Sequence, residues 1–108
     1  MDAVLQAISD PSRRTVLDAL SNGPATASEL AALLTIARPG TSRHLRVLRD
    51  AGLVEVRNEA QFRIYSLRPE PLAELYEWLD RYRVIWTHHM EALHTEIARG
   101  KRERRSKR

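Results

Sequence analysis

The residues best equipped for chemistry stand close together: Arg38, Arg43, Arg46 and Arg49 share the segment Arg38-Pro39-Gly40-Thr41-Ser42-Arg43-His44-Leu45-Arg46-Val47-Leu48-Arg49-Asp50. A guanidinium forks onto the two acceptors of a guanine edge and onto phosphate oxygens alike. The segment predicts a helix over 39–51, because Pro39 suits a first helical position and Gly52 a stop. At 3.6 residues per turn, Thr41, Leu45 and Leu48 form a narrow stripe that can face a core. Pro39, Ser42, Arg43 and Arg46 point the opposite way. A helix with a thin apolar underside and a basic, hydrogen-bonding top fits the major groove of B-DNA. A solvated surface helix would carry the same pattern, so the neighbouring elements decide between the two readings.

Those elements follow in an informative order. Asp2 to Ile8 is short and mostly apolar, a marginal helix that must lean on something else. Asp10-Pro11 reads as an N-cap followed by proline at the first helical position, opening a helix that buries Val16, Leu17 and Leu20 and stops at Asn22-Gly23-Pro24. Thr26 and Glu29 then stand in capping-box spacing ahead of Leu30, Leu33 and Leu34. Helix, brief turn (Thr35-Ile36-Ala37) and arginine-faced helix is helix-turn-helix order. After Gly52 the period changes to two. Leu53 to Arg57 and Phe62 to Leu67 read as strands of a 53–67 hairpin, a wing with Arg57, Gln61 and Arg63 near its tip. A lone hairpin is unstable, so it must pack on the helices.

Pro71 opens the longest predicted helix, running to about Ala98 and roughly 40 Å long. Leu72, Leu75, Leu79, Tyr82, Trp86, Met90, Leu93 and Ile97 recur at gaps of three or four, close to a heptad seam. A small domain cannot cover so long a seam, which points to a second copy of the chain. The expected dimer interface is Leu75, Leu79, Tyr82, Trp86 and Leu93, with Leu5 and Ile8 of the first helix beside them. A long helix folded back on its own domain is the competing reading.

The 108 residues suffice for one domain with a modest core. The net charge of +4 is unevenly spread: residues 99–108 hold seven of the 18 basic side chains and one acid, so the rest is slightly acidic. DNA binding must therefore rest on local clustering of arginine rather than overall basicity. We expect a folded domain over 1–98 and a basic tail over 99–108 that is disordered or a frayed helical extension. With no cysteine, disulfides and thiolate metal sites are excluded. No apolar run approaches a membrane span, and Met1-Asp2 opens directly into helical pattern, so a reducing cytoplasm is the expected setting. No nucleophile elbow, phosphate-cradling glycine loop or pair of carboxylates beside a plausible cleft is present, so no enzyme is expected.

At this point the chain resembles the ArsR/SmtB group of bacterial winged-helix repressors over nearly its whole length. Four stretches carry the likeness: Asp10-Pro11-Ser12-Arg13-Arg14 with Val16-Leu17 and Leu20; Ser28-Glu29-Leu30-Ala31; Ser42 to Val54, the most specific; and Gln61 to Leu67. The resemblance implies a homodimer that represses promoters and lets go when an effector binds. Which effector is open, a small molecule being one class. Family members that sense metals through the third helix carry Cys-x-Cys where Thr26 and Ser28 stand here. Others bind ions on the last helix, where Asp80 is matched but Tyr82, Leu93 and Glu96 break the ligand set. No metal and no cofactor are expected. Ala60 stands where the family's wing usually has glycine, and Ala37 where many members have a capping serine.

The mainly α (α+β) winged helix-turn-helix so read gives definite site candidates. Ser42, Arg43 and Arg46 are expected in the groove, with Arg38, Gly40 and Thr41 near the DNA backbone at the helix start. Arg57, Gln61 and Arg63 are the wing's contribution. His44, on the flank of the core stripe, reads as a packed neutral histidine rather than a sensor. Arg13 and Arg14 open a helix, where the dipole does not favour cations, so each requires a partner: an internal salt bridge or, as the sharper alternative, phosphate. His88, His89, Glu91 and His94 could hold a metal only in part, since His88 and His89 point about 100° apart. Tyr76, Trp78, Tyr82 and Trp86 could line a small-molecule pocket, but aromatics at helical spacing are more often packed. The rival functional readings are a winged-helix protein-interaction module and a metal-responsive repressor.

Overall fold

A computed structural model describes residues 1–36 and 38–106, with side chains for 1–36 and 39–100. Ala37, and with it the family's capping position, lies outside the described residues. The elements run α1 (Asp2–Ile8), α2 (Pro11–Leu20), β1 (Ala25–Thr26), α3 (Ala27–Leu33), α4 (Arg38–Asp50), β2 (Val54–Glu59), β3 (Phe62–Leu67), α5 (Glu70–Asp80) and α6 (Arg83–Ser106). The chain divides into two compact units, Met1–Leu75 and Tyr76–Arg108.

In the first unit the caps form where the sequence asks for them. The Asp10 carboxylate accepts from the N–H groups of Ser12 and Arg13, and Pro11 sits in the first turn, where no N–H is needed. Thr26 and Glu29 close a reciprocal capping box at 3.2 and 3.1 Å. Helix α4 ends in a Schellman motif: Leu53 N–H donates to Leu48 O and Gly52 N–H to Arg49 O, with Gly52 at φ +78°. Leu48 and Leu53, joined by that motif, are both fully buried.

The core gathers Val4 and Ala7 of α1, Val16, Leu17 and Leu20 of α2, Leu30 of α3, and Thr41, Leu45 and Leu48 of α4 under Val54 and Tyr65. Val4 and Ala7 are what α1 leans with; it packs on α2 and α4. Of the leucines that follow the capping box, Leu30 is fully buried, whereas Leu33, the last residue of α3, is 54% exposed.

Two departures concern the wing. The hairpin is part of a three-stranded antiparallel sheet of order β1-β3-β2, with Ala25 and Thr26 pairing Tyr65 and Ile64. Two residues ahead of α3 were too short to show a period-two pattern, yet they tie the wing's base to the helix-turn-helix. The strands also run closer to the tip than expected: Glu59 pairs Phe62, leaving a two-residue loop of Ala60 and Gln61. Ala60 adopts φ +54°, the left-handed region where glycine is usual.

In the second unit the single long helix is corrected to two. Helix α5 closes with tightened i to i+3 bonds, Arg81 N–H to Trp78 O and Tyr82 N–H to Leu79 O, and α6 starts from Trp86 N–H to Tyr82 O. Asp80 and Arg83 pair at 3.1 Å across the turn, offsetting a cation at the start of α6. The three-or-four spacing runs straight through 79, 82 and 86, which is why the interruption has no signature in the pattern. The helical backbone of α6 then continues through Ser106, beyond the expected boundary at Ala98.

Candidate nucleic-acid interface

Helix α4 presents its arginines on two flanks separated by the outward ridge. On one flank Ser42, Arg46, Arg49 and Asp50 face Arg63 and Tyr65 of β3 across a cleft of about 540 Å3. On the other, Gly40, Arg43, His44 and Val47 face Gln6, Asp10, Arg13 and Ile36 across a cleft of about 640 Å3. Ser42, Arg43 and Arg46 are all exposed. The helix is thus held by its underside, with both flanks and the ridge open.

The expected contacts at its start are redistributed. Thr41 is 3% exposed, so its side chain faces the core and cannot reach a phosphate; the apolar stripe claims it. Gly40 leaves no open space on its Cβ side, where an added Cβ would stand 3.2 Å from Ile36 Cδ1. Arg38 opens the helix, and its side chain lies outside the described residues.

The wing separates its polar residues by face. Residues paired across β2 and β3 share a face, so Asn58 and Arg63 lie with Val56 and Tyr65, the buried side of the sheet. Arg63 stacks over the Tyr65 ring at 5.9 Å and points toward α4. Arg57 lies on the opposite face with Ile64 and 3.5 Å from Glu59. Gln61 is exposed in the loop.

Arg13 and Arg14 find partners that are neither carboxylate nor phosphate: they cap α1. Arg13 Nε donates to Ala7 O (2.6 Å) and its NH2 to Gln6 O (3.1 Å), while Arg14 NH1 donates to Ile8 O (2.7 Å). A seven-residue helix with no basic residue in its last turn leaves orphan carbonyls, and these guanidiniums satisfy them from the next helix. The remaining Arg13 nitrogen, NH1, stands 3.2 Å from His44 Nδ1 on α4. His44 is largely packed (16% exposed) and 3.9 Å from Asp10. Partial desolvation raises the Asp10 carboxyl, but N–H groups of Arg13 and Ser12 bond it and His44 and Arg13 face it, so it sits below the usual carboxylate value.

In the second unit, Leu79, Tyr82, Trp86 and Leu93 of the expected interface are 51–67% exposed, with Val84, Ile85, Met90 and Ile97 equally open. Leu5 is 38% exposed and Ile8 half-buried. Leu75 differs from them: at 8% exposure it is already buried within the single chain. Trp78 and Tyr82 meet edge-on at 5.5 Å, while Tyr76 and Trp86 stay exposed, so the four aromatics do not converge. His88 and His89 lie on one flank of α6 with Glu96, and Glu91 and His94 on another. Among the described residues, no three His, Asp or Glu side chains gather as a metal site would require, and no helix is long and apolar enough to cross a membrane.

A core-anchored helix with an arginine-lined outer side, beside a hairpin, defines a winged helix-turn-helix of the DNA-binding class. A helix-turn-helix domain model matches residues 8–57. The chain is 42% identical over 86 residues to the HTH-type transcriptional regulator Rv2034 of Mycobacterium tuberculosis, spanning 80% of this chain and 78% of that protein. It is 38% identical over 79 residues to the transcriptional repressor SdpR of Bacillus subtilis, spanning 73% and 88%. The crystal structure of an ArsR family transcriptional regulator superposes with a TM-score of 0.73 at 35% identity, over 80% of this chain and 89% of that one. The chain belongs to the ArsR family of winged helix-turn-helix transcriptional repressors, a DNA-binding regulator and not an enzyme.

Arg49, one of the four clustered arginines, is not among the expected contacts; only the fold shows that its flank of α4 faces the wing.

Proposed function

We propose that the protein acts in the cytoplasm as a homodimer that represses its operator, with α4 of each protomer in the major groove and the hairpin as wing. The observation that carries this reading is the open apolar side of α6: Trp86, Met90, Leu93 and Ile97, spaced four, three and four apart, are each at least half exposed on the single chain. Removing such side chains from water is worth about 1.5–3 kcal/mol each, and a second copy supplies the same surface in return. Two linked α4 helices then address half-sites about 34 Å apart. Ser42, Arg43 and Arg46 contact base edges and phosphates, Arg38 and Gly40 approach the backbone, and Arg63 with Gln61 reaches it from the wing. Arg57, on the other face, plays a lesser part.

Sedimentation of the wild type and Trp86→Asp, each with binding to a duplex selected from a random pool, tests assembly and function together. The wild type should sediment as a dimer at micromolar concentration, and Trp86→Asp as a monomer that no longer binds the selected duplex. A well-folded wild-type monomer that binds the duplex tightly would refute the proposal. Arg43→Ala and Arg46→Ala should each cost about 1–3 kcal/mol per half-site while leaving the dimer intact.

A further inference from the structure

The cleft between α4 and β3 carries more charge than groove reading requires. Arg46 and Arg49 enter it from the helix and Arg63 from the strand, against one acid, Asp50. Among the described residues, none of the three guanidiniums has a carboxylate within 4.0 Å. All three are exposed, and the stack on buried Tyr65 holds Arg63 in its orientation. This local excess of cations lies in a body that is slightly acidic as a whole, so general basicity does not account for it. Like charges gathered on two different elements repel unless an anion joins them.

The cleft's position selects the anion. Arg43 lines the opposite flank of α4, whereas this flank looks sideways to the wing. A phosphate is the group there with oxygens for several guanidinium forks at once, and its negative charge balances the surplus. The hydroxyl of Ser42, at the helix end of the same cleft, can add a donor. The geometry points to a phosphate seat formed by Arg46, Arg49 and Arg63, in which a backbone phosphate of the bound DNA lies between recognition helix and wing. Arg49 is thereby a DNA-contacting residue that sets affinity and its salt dependence but reads no sequence. The inference rests on the DNA-binding reading of α4 and adds a second point of attachment to it.

The test uses full-length protein, a duplex selected from a random pool by the wild type, and a duplex of scrambled sequence. Each is measured over a salt series with Arg49→Gln, Arg63→Gln, Arg49→Lys and, as a control for loss of one exposed charge, Arg68→Gln. One phosphate contact contributes about 0.9 to the slope of log affinity against log salt. Arg49→Gln and Arg63→Gln should each flatten the slope by about 2 for a dimer on two half-sites, with the ratio of selected to scrambled binding kept within about two-fold. Arg49→Lys should restore the slope, because lysine keeps the charge, and Arg68→Gln should leave it unchanged. Unchanged slopes in the glutamine variants, with wild-type binding intact, would overturn the seat while sparing the DNA reading; absent wild-type binding would sink both. A lost preference for the selected duplex would overturn it too, by showing that Arg49 or Arg63 reads bases. Titration of inorganic phosphate and pyrophosphate, followed by the Nε–H signals of Arg49 and Arg63, separates the remaining source. Saturation at micromolar anion would assign the cleft to a free phosphate ligand and overturn the backbone assignment.

Discussion

Replacing Arg13 by methionine isolates the device that holds the first helix to the recognition helix. The substitution keeps the length of the stem and removes the guanidinium, and with it two hydrogen bonds to carbonyls and a polar contact with His44. Of these, the Nε bond to Ala7 O at 2.6 Å and the NH1 contact with His44 at 3.2 Å are part-buried, and the bond to Gln6 O at 3.1 Å is exposed. A hydrogen bond to a charged group contributes about 1.5–3 kcal/mol when its loss leaves a partner unsatisfied, and the exposed carbonyl recovers its bond from water. The two part-buried contacts together set the expected loss at about 3 kcal/mol. Arg14 still caps Ile8 O, which limits the damage to the end of α1. For a domain of this size that loss lowers Tm by roughly 12–24 °C. Denaturant titration of wild type, Arg13→Met, His44→Ala and the double variant would measure it, the cycle giving a coupling of about 1 kcal/mol for the Arg13–His44 pair. A loss below about 0.5 kcal/mol for Arg13→Met would refute the reasoning and mean that solvent caps α1 as well as the guanidinium does.

Further expectations follow from the same structure. Gly52→Ala, forced to keep φ +78° in the Schellman turn, should destabilise by about 1–2 kcal/mol, and an unchanged denaturation midpoint would contradict the left-handed cap. The Asp10 carboxyl titrates lower folded than unfolded, so its stabilisation is complete above about pH 4 and disappears as pH falls through the folded value. Wild type should therefore exceed Asp10→Asn in stability at pH 6 and approach it as the carboxyl takes up its proton in acid; a difference that does not change with pH would show that charge is not the cause. Deleting residues 99–108 should flatten the salt slope of DNA binding by roughly 3 to 4 if two tails make two phosphate contacts each, without loss of sequence preference; identical slopes would remove the tail from the interface.

Much of this protein was legible in its sequence because the decisive signals are local. Asp10-Pro11, the Thr26–Glu29 box and Gly52 fix helix ends through bonds spanning two to five residues, and the Thr41, Leu45, Leu48 stripe orients α4 within its own turns. The same stripe already turns the Thr41 side chain toward the core. What only the tertiary structure decided involves residues far apart in the chain. Arg13 and Arg14 open α2 yet cap α1, and Arg13 also meets His44 thirty-one positions on, because a short helix leaves carbonyls that only a neighbouring element can satisfy. Arg63 and Arg57 differ by face, which depends on the β2–β3 register, and Arg49 shares a cleft with Arg63 only because that register turns Arg63 toward α4. The break at Arg81–Tyr82 was hidden for the opposite reason: hydrophobic spacing records which side of a helix is apolar, and it stays in phase across one tightened turn whose bonds are made by the backbone.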